Sequence, residues 1–453
     1  MPVGPPPEAL KFSPTNLWDG KPDLHLRDGK PDPYIRSSNP MKILIYAYNY
    51  HPEPIGIAPL VTELAEGLVQ RGHQVRVVTA MPNYPQRVIY PEYQGQFYAQ
   101  EERNGVQIQR CYVWIRPNPG LVTRILLDGS FVVTSLWAAF WGWKPDVILY
   151  TSPPLPVAIA VALLSLWYRC PTVLSLQDIL PEAAIHVGLV RNPLAIRVFE
   201  TLERFSYGMA NRIVVITEKF TENLGRKRVK LSKITCIPNW VNVDFVKPLP
   251  KLENTFRQNY GLGDRFVVLY SGNIALTQGL ETVIDAASFL QDYPDIVLVI
   301  VGEEKALSAL QTHCDRRKAN NVLLLPFQPR EAVPEMLAAA DVGLIVQRKN
   351  VIAFNMPSKT QLLLASGRPI IASVPFDGSA AQVINQSQGG LVVPPESPQA
   401  LAEAILKLYH DREYGERLGA QGRQYAVENY RFERSLGAYE GVFQELSRER
   451  SSQ

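Results

Sequence analysis

Two successive runs of alternating segments constrain this chain more than any other feature. From Met41 onward, short β-branched stretches alternate with amphipathic helical ones: KILIYA (42–47), a helix near 58–71, HQVRVVTA (73–80), DVILYT (146–151), TVLSLQ (172–177) and RIVVIT (212–217). The pattern then restarts with FVVLYSG (266–272), a helix at 279–290, IVLVIVG (296–302), NVLLLP (321–326), DVGLIV (341–346) and PIIAS (369–373). Strands that alternate with helices build parallel sheets with helices on both faces. The prediction is therefore an α/β chain of two doubly wound, Rossmann-like parallel-sheet domains. Such sheets bind ligands beyond the carboxyl ends of their strands, so two of them facing a cleft predict a site in that cleft.

At 453 residues the chain is too long for one compact core, which agrees with two domains plus appendages. The prolines and lost periodicity of PNWVNVDFVKPLPKLEN (238–254) mark a linker between them, dividing 41–247 from 248 onward. Residues 1–40 are proline-rich and repeat DGKPD at 19–23 and 28–32. They are expected to be a disordered extension, touching the first domain at most through Leu17 and Trp18. The net charge of +3 is too small to imply nucleic acid. Its distribution is uneven: residues 41–247 carry net +6 and residues 248–453 net −3. A basic first half suits an anionic membrane surface or a phosphorylated substrate; scattered solvated charge is the alternative.

Cys111, Cys170, Cys236 and Cys314 have no paired spacing and are expected as buried thiols of a reducing compartment. MPVGPPPEAL has neither a basic start nor an apolar run, so no signal peptide is expected. The most apolar windows, 131–143 and 155–168, are shorter than the ~20 residues of a spanning helix. They are expected to be core or interfacial helices. Trp137, Phe140, Trp141 and Trp143, with Arg110, Arg116 and Arg124 nearby in sequence, favour an interface with a membrane.

In each half the first strand runs through a glycine turn into a helix. The turns are YHPEPIGIAP (50–59), with Gly56, and YSGNIALTQGLE (270–281), with Gly272 and Gly279. Free N–H groups at such helix starts suit an anion, although every doubly wound domain needs tight turns here. Asp178 follows the strand TVLSLQ, where a carboxylate would face the cleft; capping the next helix is the other use for it. His51 sits just after the first strand and is a candidate for binding acceptor or sugar, against a plain surface role. His73 is read as structural. An Asp-x-Asp triplet occurs nowhere, so no divalent metal is expected, and no other cofactor.

Several segments, taken in order, resemble the retaining glycosyltransferases of family 4, which have the GT-B fold. They are RGHQVRVVTA (71–80), RIVVITEKFTENL (212–224), KITCIPNWVNVDFV (233–246), NVLLLPFQPREAVPEMLAAADVGLIVQ (321–347) and the final helices (397–448). The likeness covers roughly 41–448. TSPPLP (151–156), QDILPEAAIHVGLV (177–190), YSGNIALTQGLE and MPSK (356–359) are similar to the branch that makes exopolysaccharides such as colanic acid, including fucosyl and N-acetylfucosaminyl transferases. The resemblance implies that 41–247 binds the acceptor, that 248–425 binds a nucleotide sugar, and that a helix in 426–453 returns to the first domain. It implies transfer of a hexose or deoxyhexose from a UDP- or GDP-linked donor to a growing, lipid-linked glycan. Retention without an enzyme nucleophile, independence of metal, and a place in the cytoplasm on the inner face of the plasma membrane are implied likewise.

The departures from that family concern the donor. An arginine and a lysine that grip the diphosphate elsewhere are Asn273 and Gln278 here. Two glutamates spaced seven residues apart are replaced by Phe354 and Leu362, within a segment whose tail, GRPIIA, is kept. The expected substitute is the start of the helix after Pro357. S-K-T-Q (358–361) reads as a capping box, with N–H groups at Lys359 and Thr360 and the Lys359 ammonium beside them. Arg348 is a second source of positive charge. The expected donor-binding residues are thus Gly56, Gly272, Asn273, Gln278, Arg348, Pro357, Ser358, Lys359 and Thr360, and the expected catalytic groups Asp178 and His51. Two other readings stand beside this one: a sugar-nucleotide 2-epimerase of the same fold, and a non-catalytic scaffold that has lost its ligands.

Overall fold

The structure, a computed structural model, describes residues 39–451 apart from 55, 85, 117–120, 181, 183–191, 252, 276 and 352–353. Leu17, Trp18 and most of the segment 177–190 lie outside the described residues. The chain divides into two units, Met1–Trp141 and Gly142–Gln453.

Unit 1 contains β1 (Lys42–Tyr46), α1 (Ala58–Gln70), β2 (Gln74–Ala80), β3 (Tyr98–Arg103), β4 (Val106–Cys111) and α2 (Leu121–Phe140). Its strands lie in the order β3-β4-β2-β1. Ile43, Leu44, Ile45 and Tyr46 of β1 are all fully buried, which is why that run is apolar without alternation. β1, β2 and β4 pair in parallel, whereas β3 runs antiparallel to β4. That edge hairpin departs from the all-parallel expectation. Its cause is the dipeptide Asn104-Gly105, whose φ angles of 47° and 79° suit a two-residue hairpin turn.

Unit 2 opens with β5 (Val147–Ser152), α3 (Val157–Tyr168), β6 (Thr172–Leu176), α4 (Pro193–Met209), β7 (Arg212–Val215), α5 (Glu218–Arg226) and β8 (Ile234–Cys236), the strands pairing in parallel in that order. A second parallel sheet follows. It is built from α6 (Thr255–Asn259), β9 (Phe266–Ser271), α7 (Glu281–Ala287), β10 (Ile296–Gly302), α8 (Glu304–Arg317), β11 (Val322–Pro326), α9 (Val333–Ala338), β12 (Val342–Val346), α10 (Lys359–Ala365), β13 (Ile370–Ser373), α11 (Ser379–Ser387) and β14 (Gly390–Val393). The strand order β11-β10-β9-β12-β13-β14 reverses direction between β9 and β12. The loops leaving those two strands, after Ser271 and after Val346, therefore flank the switch-point crevice in which such sheets hold their ligands.

Side chains alternate across this sheet as the pleat demands. Val267, Leu269, Val299 and Val301 join one core cluster; Phe266, Val268, Tyr270 and Ile300 join the other. The expected linker is not a free tether, because Val241, Val243 and Val246 are buried in the first of these clusters. Arg423 locks the same segment by donating to the carbonyls of Val243 and Val246, each at 2.9 Å. Three helices end the described chain: α12 (Pro398–His410), α13 (Arg412–Asn429) and α14 (Phe432–Ser451). The last packs back on the first strands of unit 2, with Tyr439 hydroxyl 3.0 Å from Ser175 Oγ and Arg212 paired to Glu449. Cys111, Cys170 and Cys314 are buried free thiols and Cys236 is half-buried.

Candidate functional site

The loop after β9 and the start of α10 meet at one lysine. Tyr270, near the end of β9, turns its hydroxyl onto the carbonyl of Asn273 at 2.8 Å, which fixes the ring across the turn. Over that ring lies the Lys359 ammonium, 3.9 Å from the centroid. The Nζ atom is buried and has no hydrogen-bond partner among the described residues. Burial pushes the lysine down from its ordinary 10.5 to about 7. A cation–π contact offsets part of the desolvation but supplies no acceptor for the three N–H donors.

Gly272 makes that position possible. Its φ of 142° is one that side chains rarely adopt, and a Cβ built there would overlap Lys359 Nζ. Gln278, in the place of the missing lysine, organises the loop and does not reach outward: its Oε1 accepts from Ala275 N at 2.9 Å and from the Thr277 hydroxyl at 3.3 Å. Asn273 contributes its carbonyl to Tyr270, as above.

Arg348 stands beside the same loop. Its N–H donates to Thr277 O at 2.8 Å, and its side chain packs against Gly279. The guanidinium is already paired, with Glu281 at 3.1 Å and Glu396 at 3.3 Å. It ties the loops after β9 and β12 together, and its charge is largely answered. The two glutamates were not singled out in the sequence, since they lie 67 and 48 positions from Arg348.

The expected capping box does not form. Ser358 occupies the N-cap position with φ −58° and ψ −20°, a helical backbone in which its exposed hydroxyl makes no cap bond. Gln361 returns nothing to it; its buried Oε1 is without a hydrogen-bond partner among the described residues. Thr360 spends both its N–H (3.0 Å) and its hydroxyl (2.8 Å) on Pro357 O. The Thr360 N–H and hydroxyl are thus taken up within the turn, and the positive group held at this place is the Lys359 side chain.

The two lost glutamates have become apolar packing. Phe354 is buried, edge-on to Phe220 with ring centroids 5.6 Å apart, and Leu362 is half-buried against the core. Gln347, the residue leaving β12, is buried and donates to Asn355 Oδ1 at 3.2 Å, which steadies the loop leading to Pro357.

Asp178 lies two residues beyond β6, half-buried, its carboxyl pushed up by desolvation and drawn back in part by the N–H of Ile179. Its neighbour Gln177 is held by Asn239 (2.9 Å) and Ser175 (3.0 Å), so the strand end that carries Asp178 is fixed. No contact in the described residues joins Asp178 to the Lys359 group. His51 and Gly56 belong to unit 1. His51 Nε2 accepts from Arg103 at 3.1 Å and its carbonyl from Arg110 at 2.7 Å. Burial, then Arg103 and Arg110, push the imidazole down to about 4, so it is neutral near pH 7. Gly56 has φ 73° and leads into α1. Tyr270 is the site residue that sequence reasoning missed; the signal available was an aromatic side chain two positions before the glycine turn.

Two family models match this chain: "Glycosyl transferase 4-like domain" over residues 56–240 and "Glycosyl transferases group 1" over residues 253–425. The chain is 32% identical to WcaI of Escherichia coli (strain K12), whose name assigns it as a glycosyl transferase of colanic acid biosynthesis; the match covers 83% of this chain and 96% of that one. It is 29% identical to the GDP-mannose-dependent alpha-(1-6)-phosphatidylinositol monomannoside mannosyltransferase of Mycolicibacterium smegmatis, over 45% of this chain and 53% of that one. Among solved structures, HepE of Anabaena in complex with UDP and glucose superposes with a TM-score of 0.66 at 18% identity, covering 89% of this chain and 99% of that one. The shared fold is two parallel-sheet, Rossmann-like domains of the GT-B class.

Proposed function

This chain belongs to the family 4 GT-B glycosyltransferases of the colanic acid type, and we propose that it moves a hexose or deoxyhexose from a nucleotide-diphosphate donor to a growing, lipid-linked glycan in exopolysaccharide synthesis. One observation carries the donor assignment: a lysine whose buried Nζ has no hydrogen-bond partner among the described residues, at the switch point of the second sheet. A diphosphate placed against Gly272 supplies the acceptors and the negative charge that Lys359 lacks, and draws a proton onto the amine. The resulting ammonium then stabilises the charge that gathers on the leaving diphosphate as the sugar–oxygen bond breaks. Asn273, Gln278 and Arg348 shape the loop around this point, while Gly272 gives the phosphates backbone that no side chain shields. Pro357, Ser358 and Thr360 place the lysine.

In this reading the carboxylate at the end of β6, Asp178, orients the acceptor or the transferred sugar, with His51 and Gly56 on the acceptor side. The functional division falls near residue 247, with donor binding in 248–425. Transfer proceeds without a metal, the lysine carrying the charge stabilisation, and with retention by front-face attack guided by the leaving phosphate. The enzyme works in the cytoplasm against an anionic inner membrane face, where a lipid-linked acceptor resides. Calorimetric titration with UDP and with GDP tests the donor assignment and distinguishes the base. Binding of one of them is expected; stabilisation by neither would leave a non-catalytic scaffold as the better description.

A further inference from the structure

Helix α2 is built inside out. The hydroxyls of Ser130, Thr134 and Ser135 are spent inward: Ser130 Oγ accepts from Trp114 N at 2.8 Å, Thr134 Oγ1 donates to Tyr112 O at 2.8 Å, and Ser135 Oγ bonds the Tyr46 hydroxyl. Phe131 packs beside them against Tyr48, with ring centroids 5.1 Å apart. Leu126, Val133 and Trp137 follow one another at seven and four residues, the spacing of one helix face, and with Ile125 beside Leu126 they are exposed and apolar: Ile125 (55% exposed), Leu126 (49%), Val133 (69%) and Trp137 (60%). Trp141, just past the helix, is 63% exposed and meets Trp137 edge-on at 6.1 Å.

This face is held outward and cannot roll under. Tyr98 hydroxyl donates to Thr134 O at 2.8 Å. Beyond the helix end, the buried Arg76 and Gln109 (3.2 Å) both donate to Trp141 O. Alongside lies an apolar groove of about 510 Å³ lined by Phe97, Tyr98, Val132, Val133, Leu136 and Trp137. An exposed apolar surface of this continuity, fixed in place by the interior, marks an interaction site.

We propose that the outward face of α2, with its groove, docks this protein on an anionic lipid bilayer. Charge favours a bilayer over a protein partner. The exposed charged side chain of α2 is Arg124, and Arg116 just before the helix is exposed as well; Asp128, the helix's carboxylate, is half-buried. Cations at the edge of an apolar stripe ending in two exposed indoles match a surface with phosphate above and hydrocarbon below. Among the described residues no helix is long and apolar enough to cross a membrane, so α2 lies along the surface and does not span it. The inference rests on the lipid-linked acceptor reading for its purpose, yet its test is independent of donor binding.

The test is flotation of the full chain with vesicles of phosphatidylcholine alone and of phosphatidylcholine mixed with phosphatidylglycerol, read together with tryptophan emission. The wild type is expected to float with the anionic vesicles, with a blue shift. The double variant Val133→Ser, Trp137→Ser should lose at least about tenfold in partitioning. Arg124→Glu should weaken binding to anionic vesicles and leave the low binding to neutral ones unchanged. Nucleotide-induced thermal stabilisation, unchanged in all variants, shows that they fold and keeps this result separate from the donor site. Wild-type protein that floats with neither vesicle overturns the proposal, as does a double variant that floats like wild type. A concentration-dependent dimer that the double variant abolishes, without vesicle binding, would assign the face to a second copy of the chain and overturn it equally.

Discussion

Lys359 Nζ sits 3.9 Å from the centre of the Tyr270 ring, buried and without a hydrogen-bond acceptor among the described residues. An amine in that setting is costly unless something else completes its coordination. Removing the charge while keeping the volume, as in Lys359→Met, should lower nucleotide-diphosphate affinity about 10- to 100-fold by calorimetry, the range for losing a charged hydrogen bond. The melting temperature should hold or rise. Gly272→Ala should reproduce the loss, because its methyl group takes the ammonium's place. Full affinity in both variants would mean that the phosphates lie elsewhere.

The same lysine predicts two opposite pH trends. It gives up its proton near pH 7 in the folded protein and near 10.5 in the unfolded chain. Between those values the unfolded chain binds more protons, so this group's contribution to stability rises with pH and is lost as pH falls through 7. Donor affinity runs the other way: full below 7, where the amine is charged, and weakening as pH rises above it. Titrations across about pH 6 to 9 in wild type and Lys359→Met check this. The difference between the two isolates the lysine from the ligand's own ionisation, and parallel curves would disprove the assignment.

Restoring the family's glutamate should harm this protein. Phe354 is 5% exposed and packs on Phe220, so Phe354→Glu buries a carboxylate in place of an aromatic contact. A loss of about 2–4 kcal/mol in denaturant melts is expected, with no gain in donor affinity. Leu362→Glu, at a half-buried position, should cost less. A stable Phe354→Glu variant that binds donor more tightly would show that the glutamate's place is merely vacant.

Asp178→Asn separates donor binding from transfer. Nucleotide affinity should stay within about twofold, while turnover with donor and acceptor falls about a hundredfold or more. Because burial raises this carboxyl, the acid limb of the rate profile should lie above that of an exposed aspartate. Equal loss of nucleotide binding would place Asp178 at the donor instead.

What the residues disclosed in advance followed the strength of local pattern. β10 falls on IVLVIVG as read, because seven buried positions in a row leave little choice. β8 and β14, three and four residues long, are too short for periodicity to reveal. The antiparallel β3 was legible in Asn104-Gly105, which the alternating pattern overshadowed. At the site, the lysine was readable but its state was not. Ser358 carries the right side chain for a cap, yet its backbone is already helical, and a cap needs an extended one. The burial of Lys359 depends on Tyr270, 89 positions earlier, and on the empty space at Gly272, neither of which a local motif encodes.

The bond between Ser175 and Tyr439 joins residues 264 positions apart. Chains are made from the amino terminus, at about 5–20 residues per second. Strands β5 to β7 therefore wait through the making of the whole second sheet before α14 arrives to pack on them. During that interval their apolar side is open to misassociation, and a chain halted on the ribosome before α14 would present it indefinitely. Completion of the sheet that holds β5 to β7 is thus timed by a helix made after the second sheet of the unit.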